Sequence, residues 1–283
     1  MSEKVTAEKV KELRERTGVG MGKCKEALEQ VGGDMERAID FLRKAGMASA
    51  VKKEGRETKE GLVGYAEGKT AFSLVEMNAE TDFVTQNEKF KEFLKEVCSD
   101  AAETKPASLE AFLAQKNRKD SSITNDEQRA IVMQSLGENI RVKRLTIIPK
   151  SPDLSIGFYS HMGGKIVCVV ELQGGAGQEA LARDIAMHIA AESPDYLAPQ
   201  DVPSDVKSRE EEVARGQVQG KPANIVDKIV EGKLKAFYDM SCLVCQKYVK
   251  DNSITITQLL ENESKRLGKK LAIKRFLRWQ VGA

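Results

Sequence analysis

The chain has 283 residues, of which 41% are hydrophobic and 31% are charged, so it can bury the core of a globular protein of two or three domains. Its 45 lysines and arginines nearly balance 43 aspartates and glutamates, and no stretch combines clustered cations with aromatic residues, which disfavours direct binding of nucleic acid. The N-terminus lacks the apolar core of a secretory signal, and the longest apolar run, residues 166–170, is too short to cross a bilayer. We therefore expect a cytoplasmic protein without a membrane partner.

Residues 1–50 are predicted to form a small domain of three helices. Thr6 caps a helix over residues 7–16, a glycine-rich turn and a helix over residues 22–31 follow, and Asp34 caps a helix over residues 35–45. The expected buried side chains are Val10, Leu13, Cys24, Ala27, Leu28, Ile39 and Leu42. Residues 51–61 are charged and lack apolar periodicity, which predicts a linker.

Beyond the linker the same pattern occurs twice, in residues 62–150 and again from residue 151. Gly64-Tyr65 and Phe158-Tyr159 each open a strand, a glycine turn, an apolar strand (71–77 or 166–172) and a helix. Each copy closes with a helix that ends at Leu-Gly and a strand that carries Lys143-Arg144 or Lys274-Arg275. This predicts an α+β fold with two subdomains, 62–150 and 151–192 plus 241–283, each with a three-stranded antiparallel sheet covered by helices.

The second copy contains an insertion, residues 193–240, in which Gly220-Lys221-Pro222 separates two helical segments. The second segment has an apolar stripe and the first a thin one, as in a protruding antiparallel helical hairpin. Two interpretations stay open: a surface excursion without a role, or an arm for a partner or for self-association.

Residue patterns typical of catalysis, cofactors or metals are missing from the sequence. Gly163-Gly164-Lys165 is expected to be a hairpin turn, and neither His161 nor His188 has metal-ligand spacing. We expect His188 to pack in a helix with a hydrogen-bond partner. The five cysteines are scattered, and the pair Cys242 and Cys245 follows a helix, where the redox motif would begin one, so reduced thiols are expected.

The segment Glu80-Thr81-Asp82-Phe83-Val84 comes directly after the first apolar strand, where a helix begins. Thr81 or Asp82 could cap this helix, and Thr85 with Glu88 offers a second capping box. Phe83 is either tucked under its own helix or presented outward on a rigid mount. The residues alone favour the tucked arrangement.

Two longer stretches, residues 13–28 (LRERTGVGMGKCKEAL) and residues 76–84 (EMNAETDFV), resemble signatures of the bacterial elongation factor Ts family. The resemblance continues in order through residues 159–161, 185–191, 220–222, 230–233 and the final strand, so it spans nearly the whole chain. The resemblance implies a ubiquitin-associated-like helical domain, a duplicated core and an inserted helical hairpin. It also implies binding to elongation factor Tu, both GDP-bound and nucleotide-free, and acceleration of GDP release without covalent chemistry.

The family's partner-binding residues can be carried onto matching positions. Asp82 and Phe83, flanked by Thr81 and Val84, resemble the pair that the family wedges between two helices of the GTPase domain. His161 resembles a second contact, and Arg14 and Met21 resemble the docking residues of the N-terminal domain. The chain departs from the family at Gly22, where a second apolar residue is common, which predicts a thinner N-terminal contact.

Two other functions remain as alternatives. A ribosome- or RNA-binding protein built of α+β repeats would need a basic face with steep salt dependence, which the balanced charge argues against. An enzyme would need a pocket with convergent titratable groups that the sequence does not reveal.

Overall fold

The computed structural model describes residues 4–174, 176–218 and 223–283, and the chain divides into two compact units, Met1–Pro149 with Val281–Ala283, and Lys150–Gln280. Both units contain helices and small antiparallel sheets, which confirms the α+β class. No helix in these described ranges is both long and apolar enough to cross a membrane.

The first unit contains seven helices and three strands in its described part: α1 (Ala7–Thr17), α2 (Met21–Gln30), α3 (Met35–Lys53), β1 (Glu60–Glu67), β2 (Ala71–Ala79), α4 (Asp82–Gln86), α5 (Glu88–Thr104), α6 (Leu109–Ala114), α7 (Asn125–Leu136) and β3 (Ile140–Pro149). The second unit contains β4 (Leu154–His161), β5 (Ile166–Gln173), α8 (Glu179–Glu192), α9 (Ser204–Gly216), α10 (Ala223–Ser241), β6 (Lys247–Tyr248), β7 (Asp251–Thr255), α11 (Ile256–Leu267) and β8 (Ala272–Gln280).

The three N-terminal helices begin where the sequence predicts. Thr6 and Asp34 accept hydrogen bonds from backbone N–H groups of the first turns of α1 and α3, and Gly18 ends α1 in the left-handed region at φ 67°. The predicted apolar residues pack together, with Ile39 only partly buried and the others buried: Val10, Leu13, Cys24, Ala27, Leu28 and Leu42.

The third helix is longer than predicted and overruns the proposed linker. It ends at Lys53, and β1 begins at Glu60, so the predicted linker over residues 51–61 shrinks to residues 54–59. The extra turns are stabilised by packing on α7: Ala50 belongs to the core of this unit, and at Gly46 a Cβ would lie 2.7 Å from the Oε1 atom of Gln134. The charged composition of this stretch concealed that contact.

Each unit contains one three-stranded antiparallel sheet, with strand orders β1-β2-β3 and β4-β5-β8. Helix α5 packs on the first sheet and α8 on the second. At Gly64 a Cβ would lie 2.9 Å from Leu94, and at Gly157 it would lie 2.2 Å from the backbone of Arg183, so glycine allows the helix to approach the strand in both places.

The strand register shows which residues of the two sheets are equivalent, and this equivalence differs by one residue from the one predicted from the sequence. The pairing of β2 with β3 shifts after Glu76, and that of β5 with β8 shifts after Glu171, with the extra residue of each bulge, Lys143 or Lys274, in the closing strand. The two glutamates pair on their other side with Val63 and Ile156. Gly64-Tyr65 therefore corresponds to Gly157-Phe158, not to Phe158-Tyr159. The sequence comparison matched tyrosine with tyrosine, whereas the strand register matches the two close-approach glycines.

The bulges explain the paired Lys-Arg residues of the closing strands. Two residues oppose one at a bulge, so consecutive side chains of β3 can reach the same carboxylate. Glu76 is fully buried and lies 2.7 Å from an Arg144 guanidinium nitrogen and 3.6 Å from Lys143 Nζ. Glu171 makes the same pair of contacts with Lys274 and Arg275. The matched positions of Lys-Arg, predicted from the sequence, are thus confirmed.

Helices α9 and α10 pack on each other within the insertion. Val230 of α10 and Ala214 of α9 are buried, while Ile225 and Val213 remain exposed. The predicted break at Gly220-Lys221-Pro222 lies outside the described residues. The apolar core of the second unit is built from residues of α8, α11 and the strands together with Leu243 and Leu271 from connecting segments, and its described members include none from α9 or α10.

Candidate partner-binding site

The strongest candidate contact is Phe83, in the one-and-a-half-turn helix α4 that directly follows β2. Its side chain is 84% exposed, the highest value among the exposed large hydrophobic residues. The tucked arrangement favoured by the residues alone is therefore wrong. Phe83 is presented to solvent, where an aromatic ring is expected to serve contact with a partner more than folding.

The next two residues explain why Phe83 points outward. Val84 and Thr85 are buried, and Val84 belongs to the apolar core of the first unit. Successive helical residues are about 100° apart, so fixing these two inward leaves Asp82 and Phe83 on the outer side. Val84 thus anchors the helix through its buried side chain.

The N-terminus of α4 is capped as predicted by Thr81, whose Oγ1 accepts a hydrogen bond from the N–H of Val84 at 3.4 Å. The predicted second capping box is wrong: Asn87 caps α5, and Thr85 donates its hydroxyl to the carbonyl of Asp82 at 2.9 Å. Asp82 is exposed in the first turn of α4, where a carboxylate is favoured by the helix dipole.

Glu138, in the loop between α7 and β3, accepts two hydrogen bonds from Thr81, the residue that caps α4. One carboxylate oxygen accepts from the N–H of Thr81 at 3.0 Å and the other from its hydroxyl at 2.6 Å. Glu80 in turn accepts from the N–H of Asn139 at 2.6 Å. A role for Glu138 could not be predicted from the sequence, because a contact with a residue 57 positions away leaves no local signal.

The N-terminal candidates lie on either side of the loop between α1 and α2. Arg14 is exposed in the last turn of α1, and Met21, the first residue of α2, is 42% exposed. At Gly22 an added Cβ would meet no atom within 4 Å. A larger apolar residue would fit at this position. With glycine there, the apolar surface beside Met21 is smaller than it would be with such a residue.

His161 lies in the second unit, at the end of β4 and the start of the hairpin turn to β5. Its side chain is exposed, and its Nδ1 atom lies 3.3 Å from the hydroxyl of Tyr159, with the two rings stacked. The next residue, Met162, is 71% exposed with φ at 49°, in the left-handed region that non-glycine residues rarely adopt. Met162 therefore adds an exposed apolar side chain beside His161.

The remaining chemical candidates are structural. Gly163-Gly164-Lys165 lies in the predicted turn between β4 and β5. His188 is fully buried in α8: its Nδ1 atom accepts from the N–H of Val249 at 3.2 Å, and its Nε2 atom lies 3.0 Å from the Oε1 atom of Gln246. Burial lowers the pKa of His188, in keeping with a neutral packing histidine.

The thiol groups are poor nucleophiles. All five cysteines are free, and burial raises the pKa of Cys242 to about 11 and also raises that of Cys245. A redox pair needs a lowered pKa in one thiol, whereas the pKa values of both Cys242 and Cys245 are raised. Within the ranges that the structure describes, no cluster of histidine, cysteine, aspartate and glutamate could hold a metal ion.

Comparisons with known proteins identify the family. A sequence profile described as Elongation factor TS matches residues 80–283. The chain is 61% identical to the elongation factor Ts of Protochlamydia amoebophila over 278 residues, which cover 98% of this chain and 99% of that relative. The chain belongs to the elongation factor Ts family.

Two further family members agree with this assignment. The elongation factor Ts of Chlamydia caviae is 45% identical and that of Chlamydia trachomatis serovar L2 is 44% identical, each over 276 residues and 98% of both chains. This elongation factor Ts family member is therefore a translation elongation factor and acts in protein biosynthesis.

Proposed function

We propose that the chain is a guanine-nucleotide exchange factor that binds GDP-loaded elongation factor Tu in the cytoplasm and promotes release of the nucleotide. The observation that carries the proposal is the 84% exposure of Phe83 on a helix whose next two residues, Val84 and Thr85, are buried. Exposing an aromatic ring to water costs free energy that a partner can recover by burying it. A firmly anchored exposed ring is thus suited to push into another protein.

The mechanism follows from how a GTPase holds its nucleotide. A phosphate-binding loop and a Mg²⁺ ion of near-octahedral geometry are sensitive to small displacements. If Asp82 and Phe83 separate two helices of the partner, the free energy gained by burying the ring appears as strain at the nucleotide site. About 1.4 kcal/mol of such coupling weakens nucleotide binding about tenfold.

The same coupling makes exchange reversible. Because linkage is reciprocal, a bound nucleotide lowers the affinity of elongation factor Tu for the exchange factor by the same factor by which the exchange factor lowers its affinity for the nucleotide. The chain would therefore hold nucleotide-free elongation factor Tu most tightly and leave when GTP enters. No covalent step, general acid or general base is required.

Further contacts are assigned to other elements. Exposed Arg14 and Met21 would add affinity through the N-terminal helices, and exposed His161 would add a contact from the second unit. Thr81 and Val84 would act indirectly, by fixing the direction of Phe83. The helical hairpin over residues 193–240 would serve as an arm for a partner or for self-association.

We also propose that the two units of this fold arose by duplication. Both sheets have a bulge after a buried glutamate, a Lys-Arg pair that contacts it, and a close-approach glycine beneath a helix. The three N-terminal helices would form a ubiquitin-associated-like domain, and residues 62–150 and 151–192 with 241–283 would be the two copies.

The test is a nucleotide-release assay. Elongation factor Tu loaded with a fluorescent GDP analogue is mixed with excess unlabelled GDP, with and without the purified chain. We expect the chain to accelerate the loss of fluorescence in a saturable, concentration-dependent way. Release at the unassisted rate, at concentrations where binding is demonstrated, would contradict the proposed function.

A further inference from the structure

The turn that carries Phe83 has too little structure of its own to stay rigid. Helix α4 has five residues, Asp82–Gln86, well below the length at which a helix is stable by itself. Its capping hydrogen bond from Val84 to Thr81 is long, at 3.4 Å. A highly exposed Phe83 contributes little packing to hold the helix, so other residues must fix its direction.

Glu138 makes two hydrogen bonds to this turn. Both of its carboxylate oxygens accept hydrogen bonds from Thr81, one from the backbone N–H at 3.0 Å and one from the hydroxyl at 2.6 Å. Hydrogen bonds to a charged acceptor are shorter and roughly twice as strong as neutral ones. Two such bonds to one residue fix both the position and the orientation of the residue that begins α4.

The loop that carries Glu138 is itself held from the opposite side. Lys53, the last residue of α3, donates to the carbonyl of Gly137 at 2.8 Å. The side chain of Asn139 donates to the carbonyl of Arg56 at 2.9 Å, and the backbone N–H of Asn139 donates to Glu80 at 2.6 Å. Glu138 therefore connects the Phe83 turn to a loop that is fixed on both flanks.

We propose that Glu138 is a positioning residue for nucleotide exchange, which acts by holding Thr81 so that Phe83 keeps the direction needed to displace partner helices. This inference rests on the proposed exchange function. A loosened turn would still allow Phe83 to be buried by the partner, but part of the binding free energy would be spent on ordering the turn. The loss should therefore appear in the maximal rate of GDP release as well as in affinity.

The test is Glu138→Gln, compared with Glu127→Gln as a matched control. A glutamine keeps one neutral acceptor oxygen and replaces the other with an amide that can only donate, so the Thr81 hydroxyl loses its carboxylate acceptor and both contacts lose the charge that strengthens them. Glu127 lies at the other end of α7, where its carboxylate accepts from the N–H of Thr124 at 2.7 Å, and it does not contact the Phe83 turn. Because glutamine can also close a capping box, Glu127→Gln should keep the contact with Thr124 and lose the ion pair of 3.4 Å with Arg43. Each variant thus removes the charge of one hydrogen-bonded carboxylate.

We expect Glu138→Gln to lower the maximal rate of GDP release at saturation by about tenfold, the ratio that corresponds to about 1.4 kcal/mol. Glu127→Gln should keep the rate of the unmodified chain. The amide hydrogen of Thr81 should exchange faster with solvent in Glu138→Gln only, a readout that needs no partner. If Glu138→Gln does not fold, Thr81→Val serves instead, and Thr81→Ser, which keeps the hydroxyl, should lose less of the rate than Thr81→Val.

Two outcomes separate this inference from the proposed function. If the unmodified chain accelerates release and Glu138→Gln does so at the same maximal rate, the positioning role is wrong while the exchange function stands. If the unmodified chain fails to accelerate release, the exchange function is wrong and the positioning role falls with it. An equal loss of rate in Glu127→Gln and Glu138→Gln would also overturn the inference, because the effect would then be one of general stability.

Discussion

Replacing Phe83 with alanine separates a folding role from a binding role of this residue. Because 84% of the side chain is already in water, its removal leaves no cavity, and alanine is the better helix former. We expect the free energy of unfolding to change by less than about 1 kcal/mol. The matched control is Phe90→Ala, since Phe90 is fully buried beside the same turn and its truncation should cost about 3–5 kcal/mol.

The effect of Phe83→Ala on elongation factor Tu should be large by comparison. Burial of a phenylalanine side chain contributes about 1.5–3 kcal/mol, so the affinity should fall by roughly 10- to 100-fold. In the proposed mechanism the ring strains the nucleotide site, so the maximal rate of GDP release should fall too. A denaturant melt and a GDP-release titration on the same preparation measure both quantities. A strongly destabilised variant, or a stable one with unaltered release, would refute this reasoning.

Three more outcomes follow from the structure. Gly22→Ala should stabilise the chain by up to about 1 kcal/mol in a thermal melt, because the added Cβ lies in open space within α2; a lower melting temperature would count against the helix described there. The lowered pKa of His188 means that the unfolded chain takes up the proton more readily, so stability should fall as the pH drops below about 6.5, and His188→Gln should weaken this dependence in urea melts at several pH values. Replacing residues 204–237 with a short Gly-Ser linker should leave cooperative unfolding intact, because the described core of the second unit contains no residue from α9 or α10; an aggregated product would place the hairpin in the core.

The sequence predicted the elements whose signals are local. The two Leu-Gly helix ends were found because glycine readily adopts the left-handed conformation that ends a helix, and both Gly137 and Gly268 have positive φ. The strands were found because apolar residues alternate or run together over their length. The two Lys-Arg pairs were recognised as matched, but the buried glutamate that each pair contacts, Glu76 or Glu171, was not predicted.

The errors arose where distant residues decide the local structure. Helix α3 continues through a charged stretch because Ala50 packs against residues that follow it by about 80 positions, a contact without a local pattern. The direction of Phe83 depends in the same way on Val84 and Thr85, whose burial could not be read from five residues of a turn. The family resemblance, in contrast, did indicate an outward phenylalanine.

An exposed Phe83 can act on a partner only if its turn is held firmly, and several contacts hold it. An unsupported loop could also expose an aromatic residue, but such a ring would collapse onto the nearest apolar surface and would have to be reordered when a partner binds, at a cost to affinity. Here the core side chain of Val84, the buried Thr85 and the two hydrogen bonds from Thr81 to Glu138 fix the helix before any partner arrives. The proposed displacement of partner helices requires a rigidly held Phe83, because a mobile side chain would move aside and would not strain the nucleotide site.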